Sequence, residues 1–164
     1  MSVRSGSQFP YSDYRKRWAR PESAPVIWQW RTLARQLAAA EHTERGTIAL
    51  STPDGDAEVV PGASITVQVV RPGGRTRPHA HAWWHLYFVR SGAGTVLFDD
   101  SRDAAELAAG DILVIPAWAT HRFENTGADA DLLLLNMTNT PQQAALGNLL
   151  AEEKELVDEG GRWP

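Results

Sequence analysis

The sequence predicts an all-β domain, a sandwich or a barrel, with one helix before the strands and one after them. Between residues 47 and 138, short apolar or β-branched segments alternate with turn-forming clusters such as Pro53-Asp54-Gly55. On either side of this region, apolar residues recur at helical spacing. A chain of 164 residues is long enough for one sizeable core, so we expect a single domain.

The domain is predicted to have three parts. Residues 1–25 are expected to be an irregular arm, because Pro10, Pro21 and Pro25 interrupt a stretch that has no period. The short basic run at 15–20 is interpreted as part of this solvated arm. Residues 26–139 are expected to hold the β domain with its leading helix, and residues 140–164 a C-terminal helix.

Each element follows from a local pattern. The leading helix is predicted over residues 28–44 from the spacing of its apolar residues, and Gly46 ends it. Strands are predicted at 47–51, 64–70, 85–90, 95–98, 111–115 and 132–137. The last helix is predicted to start at Thr140, with Pro141 in its first turn and Gln143 completing a capping box. Its apolar stripe is Leu146, Leu149, Leu150 and Leu156.

The composition limits which classes of partner are expected for the protein. The net charge of -4 gives no reason to expect nucleic acid or an anionic membrane as a partner. Because the chain has no cysteine, disulfides and thiolate metal sites are excluded, which agrees with a cytoplasmic protein. Residues 1–20 contain no apolar segment typical of a signal peptide, so no membrane association is expected.

Four of the five histidines lie in two short stretches, and their spacing predicts a metal site. His79 and His81 project to the same side of a strand, because strand side chains alternate between faces. The next three residues allow a corner, after which His85 can face back inward, and His121 opens a later strand. Imidazole is a suitable ligand for zinc, copper, iron and nickel. The fifth histidine, His42, falls in the predicted leading helix and is expected to be exposed.

These two stretches resemble the paired motifs of the cupin superfamily. Gly73, His79, His81 and Gly92 match the first motif, and Gly110, Pro116, His121 and Asn125 match the second. The sequence departs from the pattern twice: His85 stands at the position of a glutamate, and Trp118 at that of a glycine. His85 is predicted to be a fourth ligand, with a role as a free general base as the alternative.

A narrower resemblance is to the first barrel of gentisate 1,2-dioxygenases. It rests on residues 25–30 leading into a helix, and on the Pro-x-Trp-x-x-His pattern formed by Pro116, Trp118 and His121. This resemblance implies a jelly-roll barrel with one divalent transition metal, iron(II) being favoured over manganese, copper, nickel and zinc. Gentisate 1,2-dioxygenases usually have two barrels and no metal-binding residue at the position of His85, whereas a single barrel is expected here. Such enzymes bind a hydroxylated aromatic acid at the metal and activate dioxygen beside it.

The residues around the motifs suggest how a substrate is held. The aromatic candidates for stacking on a ring are Trp83, Tyr87, Trp118 and Phe123, and the candidates for binding a carboxylate are Arg75, Arg77 and Arg122. Four neutral imidazoles leave the charge of the ion uncancelled, which favours an anionic, planar and chelating small molecule. A homodimer is expected by analogy with cupin folds.

Three functions remain open from the sequence. The first is a metal-dependent dioxygenase acting on a small hydroxylated aromatic or enolisable oxygenated substrate. The second is a non-redox isomerase or lyase that uses the ion as a Lewis acid, and the third is a non-catalytic module that binds a small ligand. Fold alone does not decide among them.

Overall fold

The computed structural model describes residues 4–14, 24–39, 46–99 and 104–153, and it confirms the predicted all-β fold with a short helix toward each end. In chain order these residues form α1 (Tyr11–Tyr14), α2 (Trp30–Ala39), β1 (Thr47–Ala49), β2 (Ser64–Val70), β3 (His79–His81), β4 (His85–Ser91), β5 (Ala93–Phe98), β6 (Ala104–Ala108), β7 (Ile112–Ile115), β8 (His121–Glu124), β9 (Leu132–Thr138), α3 (Thr140–Ala145) and β10 (Ala151–Glu153). Within these ranges no helix is long and apolar enough to cross a membrane.

Two five-stranded antiparallel sheets form the barrel. The first sheet has the strand order β1-β2-β9-β4-β7, and the second has the order β10-β3-β8-β5-β6. Strands that follow each other in the chain, such as β3 and β4, often belong to different sheets. The chain therefore passes repeatedly from one sheet to the other, as in a jelly roll.

Apolar side chains pack in two layers. Between the sheets, Val89, Val96 and Phe123 are fully buried in one cluster. On the outer face of the first sheet, Leu33 and Leu37 of α2 pack in a second cluster that includes residues of β2. Helix α2 thus covers the outer face around β2, and this explains why β2 is largely buried on both faces.

The inner face of the first sheet changes from apolar to polar along its strands. On β2, Thr66 and Gln68 occupy inward positions between the apolar residues that face α2. On β9, Leu134 belongs to the inner core, whereas Asn136 lies one inward position further on. Thr66 and Asn136 are register partners, so one end of the barrel interior is lined by hydrogen-bonding groups.

The leading helix is shorter at its start than the sequence predicts. It begins at Trp30 instead of residue 28, because Trp28 packs against the outer cluster and its indole N–H donates to the carbonyl of Ser51 at 3.1 Å. Leu33 and Leu37 are its buried residues. The predicted continuation to residue 44, which includes His42, lies outside the described residues.

The C-terminal helix starts at Thr140 but ends at Ala145. Gly147 adopts a positive φ of 69°, and its N–H donates to the carbonyl of Ala144, which is a helix-ending geometry. The predicted capping box does not form, because the helix is capped at Asn139 without a side-chain hydrogen bond. The amide oxygen of Gln143 instead accepts a hydrogen bond from Asn148.

The predicted leucine stripe is therefore not a helix face. Leu146, Leu149 and Leu150 are exposed, and the following residues form β10, which pairs with β3. Leu156 lies outside the described residues. The predicted irregular arm contains one helical turn, α1, and the basic run at 15–20 also lies outside the described residues.

Candidate metal centre

Neighbouring strands bring the four motif histidines together. His79 and His81 occupy alternate positions of β3, and His79 is the register partner of His121 on β8. His85 is the first residue of β4, which belongs to the other sheet. All four side chains are buried, so the site lies between the two sheets at the polar end of the interior.

Three of these histidines have the geometry of a metal site. One ring nitrogen from each of His79, His81 and His121 lies within 4.8 Å of the others. His85 is not part of that group of three, but its Nε2 lies 2.8 Å from Nε2 of His81. The ring centroids of His85 and His121 are 5.5 Å apart, so all four rings surround one small volume.

Hydrogen bonds to the backbone fix which nitrogen of each ring can bind a metal. Nδ1 of His79 contacts the carbonyl of Arg77 at 2.9 Å, and Nδ1 of His121 contacts that of Ala119 at 2.9 Å. Nδ1 of His81 contacts the carbonyl of Trp83 at 2.7 Å. Because a carbonyl only accepts, each Nδ1 carries the proton and Nε2 keeps its lone pair.

His85 has a different partner. Its Nδ1 lies 2.9 Å from the side-chain oxygen of Asn136, which is itself buried. Burial, followed by the nearby rings of His81 and His121, lowers the pKa of His85 from 6.5 to about 2, against the opposing effect of the Asn136 hydrogen bond. The ring is therefore neutral at physiological pH, as a metal ligand must be.

The donor set fits a transition-metal ion. It consists of neutral imidazole nitrogens, which suit iron, zinc, copper and nickel better than magnesium or calcium. Hydrogen bonds from the second ring nitrogen to carbonyl or amide oxygens orient the ligands, as is usual in histidine metal sites. Because no carboxylate belongs to this set, a bound ion would keep its full positive charge.

A cavity of about 270 Å³ opens beside the histidines. Its lining residues are Thr47, Ala49, Thr66, Gln68, His79, His81, Trp83, His85, Tyr87, Asn136, Thr138 and Thr140. Among these residues none is Arg, Lys, Asp or Glu, and hydroxyl and amide groups form the wall opposite the histidines. A larger cavity of about 410 Å³ lies between residues 24–26 and 52–61 and contains none of the histidines, so it is not the metal site.

Two of the predicted aromatic residues line the cavity. Trp83 stacks on His81, with ring centroids 4.2 Å apart and an angle of 6° between the planes. Tyr87 lies 5.0 Å from the ring of His85, and it meets Phe123 edge to face at 5.0 Å. Phe123 is fully buried in the core between the sheets and does not reach the cavity.

The other predicted pocket residues lie elsewhere. Trp118 is 47% exposed and contacts the site through its backbone, whose N–H donates to the carbonyl of His81. Arg75 and Arg77 are exposed, because Thr76 between them is the residue that points inward. Arg122 alternates with His121 on β8, so its side chain lies on the opposite face, where it pairs with Glu124. These arginines do not line the cavity.

Sequence reasoning missed the polar wall. Thr66, Gln68 and Asn136 are polar residues at inward positions of strands that are otherwise apolar. A period-2 reading of β2 contains that signal, since Thr66 and Gln68 alternate with valine and isoleucine. On β9, Asn136 directly follows a run of four leucines and takes the next inward position after Leu132 and Leu134.

Comparison with known proteins gives matches in sequence. The family model described as a cupin domain matches residues 66–138. 5-Aminosalicylate 1,2-dioxygenase of Comamonas sp. is 31% identical over 145 residues, which cover 84% of this chain and 36% of that protein. Gentisate 1,2-dioxygenase of Streptomyces sp. is 28% identical over 114 residues, which cover 64% of this chain and 32% of that protein. The chain thus spans about a third of the length of these curated relatives.

The fold is also shared with a solved structure. A variant of salicylate 1,2-dioxygenase from Pseudoaminobacter salicylatoxidans, in complex with gentisate, superposes with a TM-score of 0.72. The two are 19% identical, and the match covers 84% of this chain and 40% of that chain. This likeness shows the common barrel, while the relatives in sequence are all dioxygenases by name.

Proposed function

We propose that this chain, whose residues 66–138 match the cupin domain model, is a mononuclear metal-dependent dioxygenase. Its substrate would be a small hydroxylated aromatic or enolisable oxygenated compound. The observation that carries the proposal is the buried group of His79, His81 and His121 beside a cavity that Trp83 and Tyr87 help to line. Similarity to dioxygenases named for 5-aminosalicylate and gentisate supports an aromatic acid as the substrate class.

We propose one metal ion per chain, held by these three histidines together with His85. Iron(II) is the favoured ion, and the imidazole donors would also accept manganese, copper, nickel or zinc. The bound metal would supply a positive template that draws a chelating substrate and dioxygen together. The chain supplies neutral, oriented imidazoles on buried side chains.

The position of His85 supports its role as a ligand. In the observed hydrogen-bond network, Nε2 of His81 and Nε2 of His85 both keep lone pairs, and these face each other at 2.8 Å. Two lone pairs repel at that distance unless a cation lies between them. Two nitrogens bonded at right angles to one ion, each at about 2.0–2.1 Å, lie about 2.9 Å apart. The pair therefore has the separation of adjacent ligands.

The cavity supports a small planar substrate with an anionic group. A volume of about 270 Å³ lies just below the usual range of ligand pockets and suits a compound with a single ring. Trp83 and Tyr87 offer aromatic contacts worth about 0.5–1.5 kcal/mol each. Because the lining residues carry no arginine or lysine, the ion itself would neutralise a carboxylate. Thr66 and Gln68 also line the cavity, and they would hydrogen-bond ring substituents.

Oxygen uptake tests the proposed reaction. The protein is loaded with iron(II) without a histidine tag, and oxygen consumption is measured with hydroxybenzoates, catechols, diketones and, as controls, neutral sugars. We expect uptake with a hydroxylated aromatic acid, and none with the matched variant His121→Ala. Binding of hydroxybenzoates without uptake would contradict the dioxygenase and favour a lyase or a sensing role. Tighter binding of neutral sugars would favour a sugar-directed isomerase.

We also propose that the protein is a homodimer that pairs through the exposed outer face of the first sheet. Leu86 is the register partner of Met137 and Val114, and Phe88 is the partner of Ile112, so these exposed apolar residues are contiguous. Helix α2 covers the other part of this face. Because β7 ends its sheet, the same strand of a second copy can pair with it about a two-fold axis.

The oligomeric state of two variants tests this surface. Ile112→Glu should give a monomer by light scattering, because it puts a charge in the centre of the interface. Val60→Glu changes an equally apolar residue that is 50% exposed away from the sheet, and it should leave the dimer intact. A dimer with Ile112→Glu, or a monomeric unmodified protein, would contradict the proposed surface.

A further inference from the structure

The four histidines differ in what holds their second ring nitrogen. In His79, His81 and His121, Nδ1 donates to a backbone carbonyl two residues away in the chain. In His85, Nδ1 donates to the side chain of Asn136, which is 51 residues away. The first three contacts follow from the local backbone, whereas the fourth depends on one exchangeable side chain.

Asn136 is itself hydrogen-bonded on both sides. Its amide nitrogen donates to the hydroxyl oxygen of Thr66 at 3.0 Å, and its amide oxygen lies 2.9 Å from Nδ1 of His85. Asn136 is 4% exposed and lies on β9 between Thr66 on β2 and Tyr87 on β4. Three adjacent strands of one sheet thus form a hydrogen-bonded chain from Thr66 through Asn136 to His85.

This chain selects the tautomer of His85. An amide oxygen only accepts, so the proton of the neutral ring stays on Nδ1 and the Nε2 lone pair points at the metal volume. If the proton moved to Nε2, that N–H could donate to Nε2 of His81, which is only 2.8 Å away. The two rings would then be bonded to each other, and the lone pairs of both would be lost to a metal.

We propose that Asn136 is a positioning residue that keeps His85 in its metal-binding tautomer, with Thr66 holding its amide in place. The inference rests on the proposed four-histidine site. Outer hydrogen bonds of this kind typically contribute 10- to 100-fold to metal affinity, so about that loss is expected when the acceptor is removed. The contribution of His85 to metal affinity can thus be changed without replacing any histidine.

Cobalt(II) binding to the full chain tests the proposal without an activity assay. Affinity is measured by competition with a chelator, and the visible absorption of the cobalt protein reports the ligand geometry. Asn136→Leu, which has a similar volume but no acceptor, should bind cobalt about 10- to 100-fold more weakly and shift the spectrum toward that of His85→Phe. Asn136→Asp keeps an acceptor and should retain affinity within about threefold, which a purely structural role of the amide would not predict.

A double-variant cycle separates positioning from packing. In a His85→Phe background, Asn136→Leu should have no further effect on cobalt affinity, because the ring it orients is gone. An equal loss in both backgrounds, or an unchanged affinity and spectrum in Asn136→Leu alone, would overturn the inference. Thr66→Val, which removes only the supporting hydroxyl, should weaken binding in the same direction and carries the same test if Asn136→Leu fails to fold.

The same data distinguish this inference from the site on which it rests. If His85→Phe leaves cobalt affinity and spectrum unchanged, then His85 is not a ligand and the four-histidine site is wrong. If His85→Phe weakens binding but Asn136→Leu does not, the site stands and only the role of Asn136 fails.

Discussion

The residues of the two motifs have two kinds of role: some can bind a metal, and others fix the conformation of the backbone. Asn125 belongs to the second kind: its amide nitrogen donates to the carbonyls of Val70 and Ala130, and its oxygen accepts from the N–H of Gly127. Gly92 does as well, since it has a φ of 81° and an added Cβ would lie 2.3 Å from the carbonyl oxygen of Asp131. The motif histidines instead direct lone pairs into a common volume.

Metal content tests the histidines individually. His81→Ala and His121→Ala should each lose the metal, because each change removes one of the three close donors of the proposed four-histidine site. The barrel should stay folded, since the core between the sheets is untouched. Elemental analysis and circular dichroism give the two readouts, and His42→Ala, which changes the histidine outside both motifs, serves as the control. Full metal occupancy in both variants would contradict the assignment of His81 and His121 as metal ligands.

The buried ring of His85 predicts how acid destabilises the metal-free protein. Its pKa falls from 6.5 to about 2 on folding, so between these values the unfolded chain binds a proton that the folded chain does not. The contribution of the neutral His85 ring to the free energy of unfolding should therefore be fully present above pH 6.5. It should be lost as the pH falls toward 2, by at most about 1.4 kcal/mol per pH unit. Urea denaturation at several pH values measures this slope.

The matched control for that slope is His85→Phe, which removes the titrating group but keeps a ring. Its stability should depend less steeply on pH below 6.5 than that of the unmodified protein. Identical slopes for the two proteins would show that His85 does not resist protonation.

Sequence spacing predicted the candidate site only in part. The alternation of β3 is enough to put His79 and His81 on one side, and the structure brings His121 beside them. Asn136 and Thr66 were missed because their contact depends on the register of β2 and β9, which are separated by 61 residues in the chain. The role of the arginines near the motifs was misjudged, since closeness in sequence does not decide on which face of a strand a side chain lies.

At the scale of elements, strongly patterned segments were predicted best. β2 was predicted at the residues where it is found, because its β-branched residues are bounded by turns. β6 was missed: its sequence is mostly alanine, and it is a strand only because it pairs with β5 and buries Leu107. The residues of β10 were predicted to be helical, because the leucines that precede them have helical spacing. In the structure, pairing with β3 decides their conformation.

The loop between β7 and β8 contains a strained residue. Trp118 has a φ of 66°, at the position where the cupin motif places a glycine. The left-handed conformation costs a residue with a Cβ about 1–2 kcal/mol, so Trp118→Gly should be more stable than Trp118→Ala by about 1 kcal/mol. Both variants lack the indole, so the comparison isolates the backbone. Equal unfolding free energies in urea would show that the backbone there is relaxed.

At the scale of the whole molecule, the proposed ion would connect the two sheets. His79, His81 and His121 belong to the second sheet and His85 to the first. Because the unfolded chain lacks this arrangement, metal at 100 times its dissociation constant should raise the unfolding free energy by about 2.7 kcal/mol. Adding a chelator should reverse the gain, and the His121→Ala variant should show neither effect. An equal melting temperature with and without metal would contradict the proposal that the ion connects the two sheets.

The fate of molecular oxygen tests the central claim most directly. The iron(II)-loaded protein is supplied with ¹⁸O₂ and the hydroxylated aromatic acid that gives the fastest oxygen uptake, and the product is analysed by mass spectrometry. The dioxygenase proposed here predicts a ring-opened product that contains both labelled oxygen atoms. A product that contains no label, or a substrate recovered unchanged from the metal-loaded protein, would contradict it.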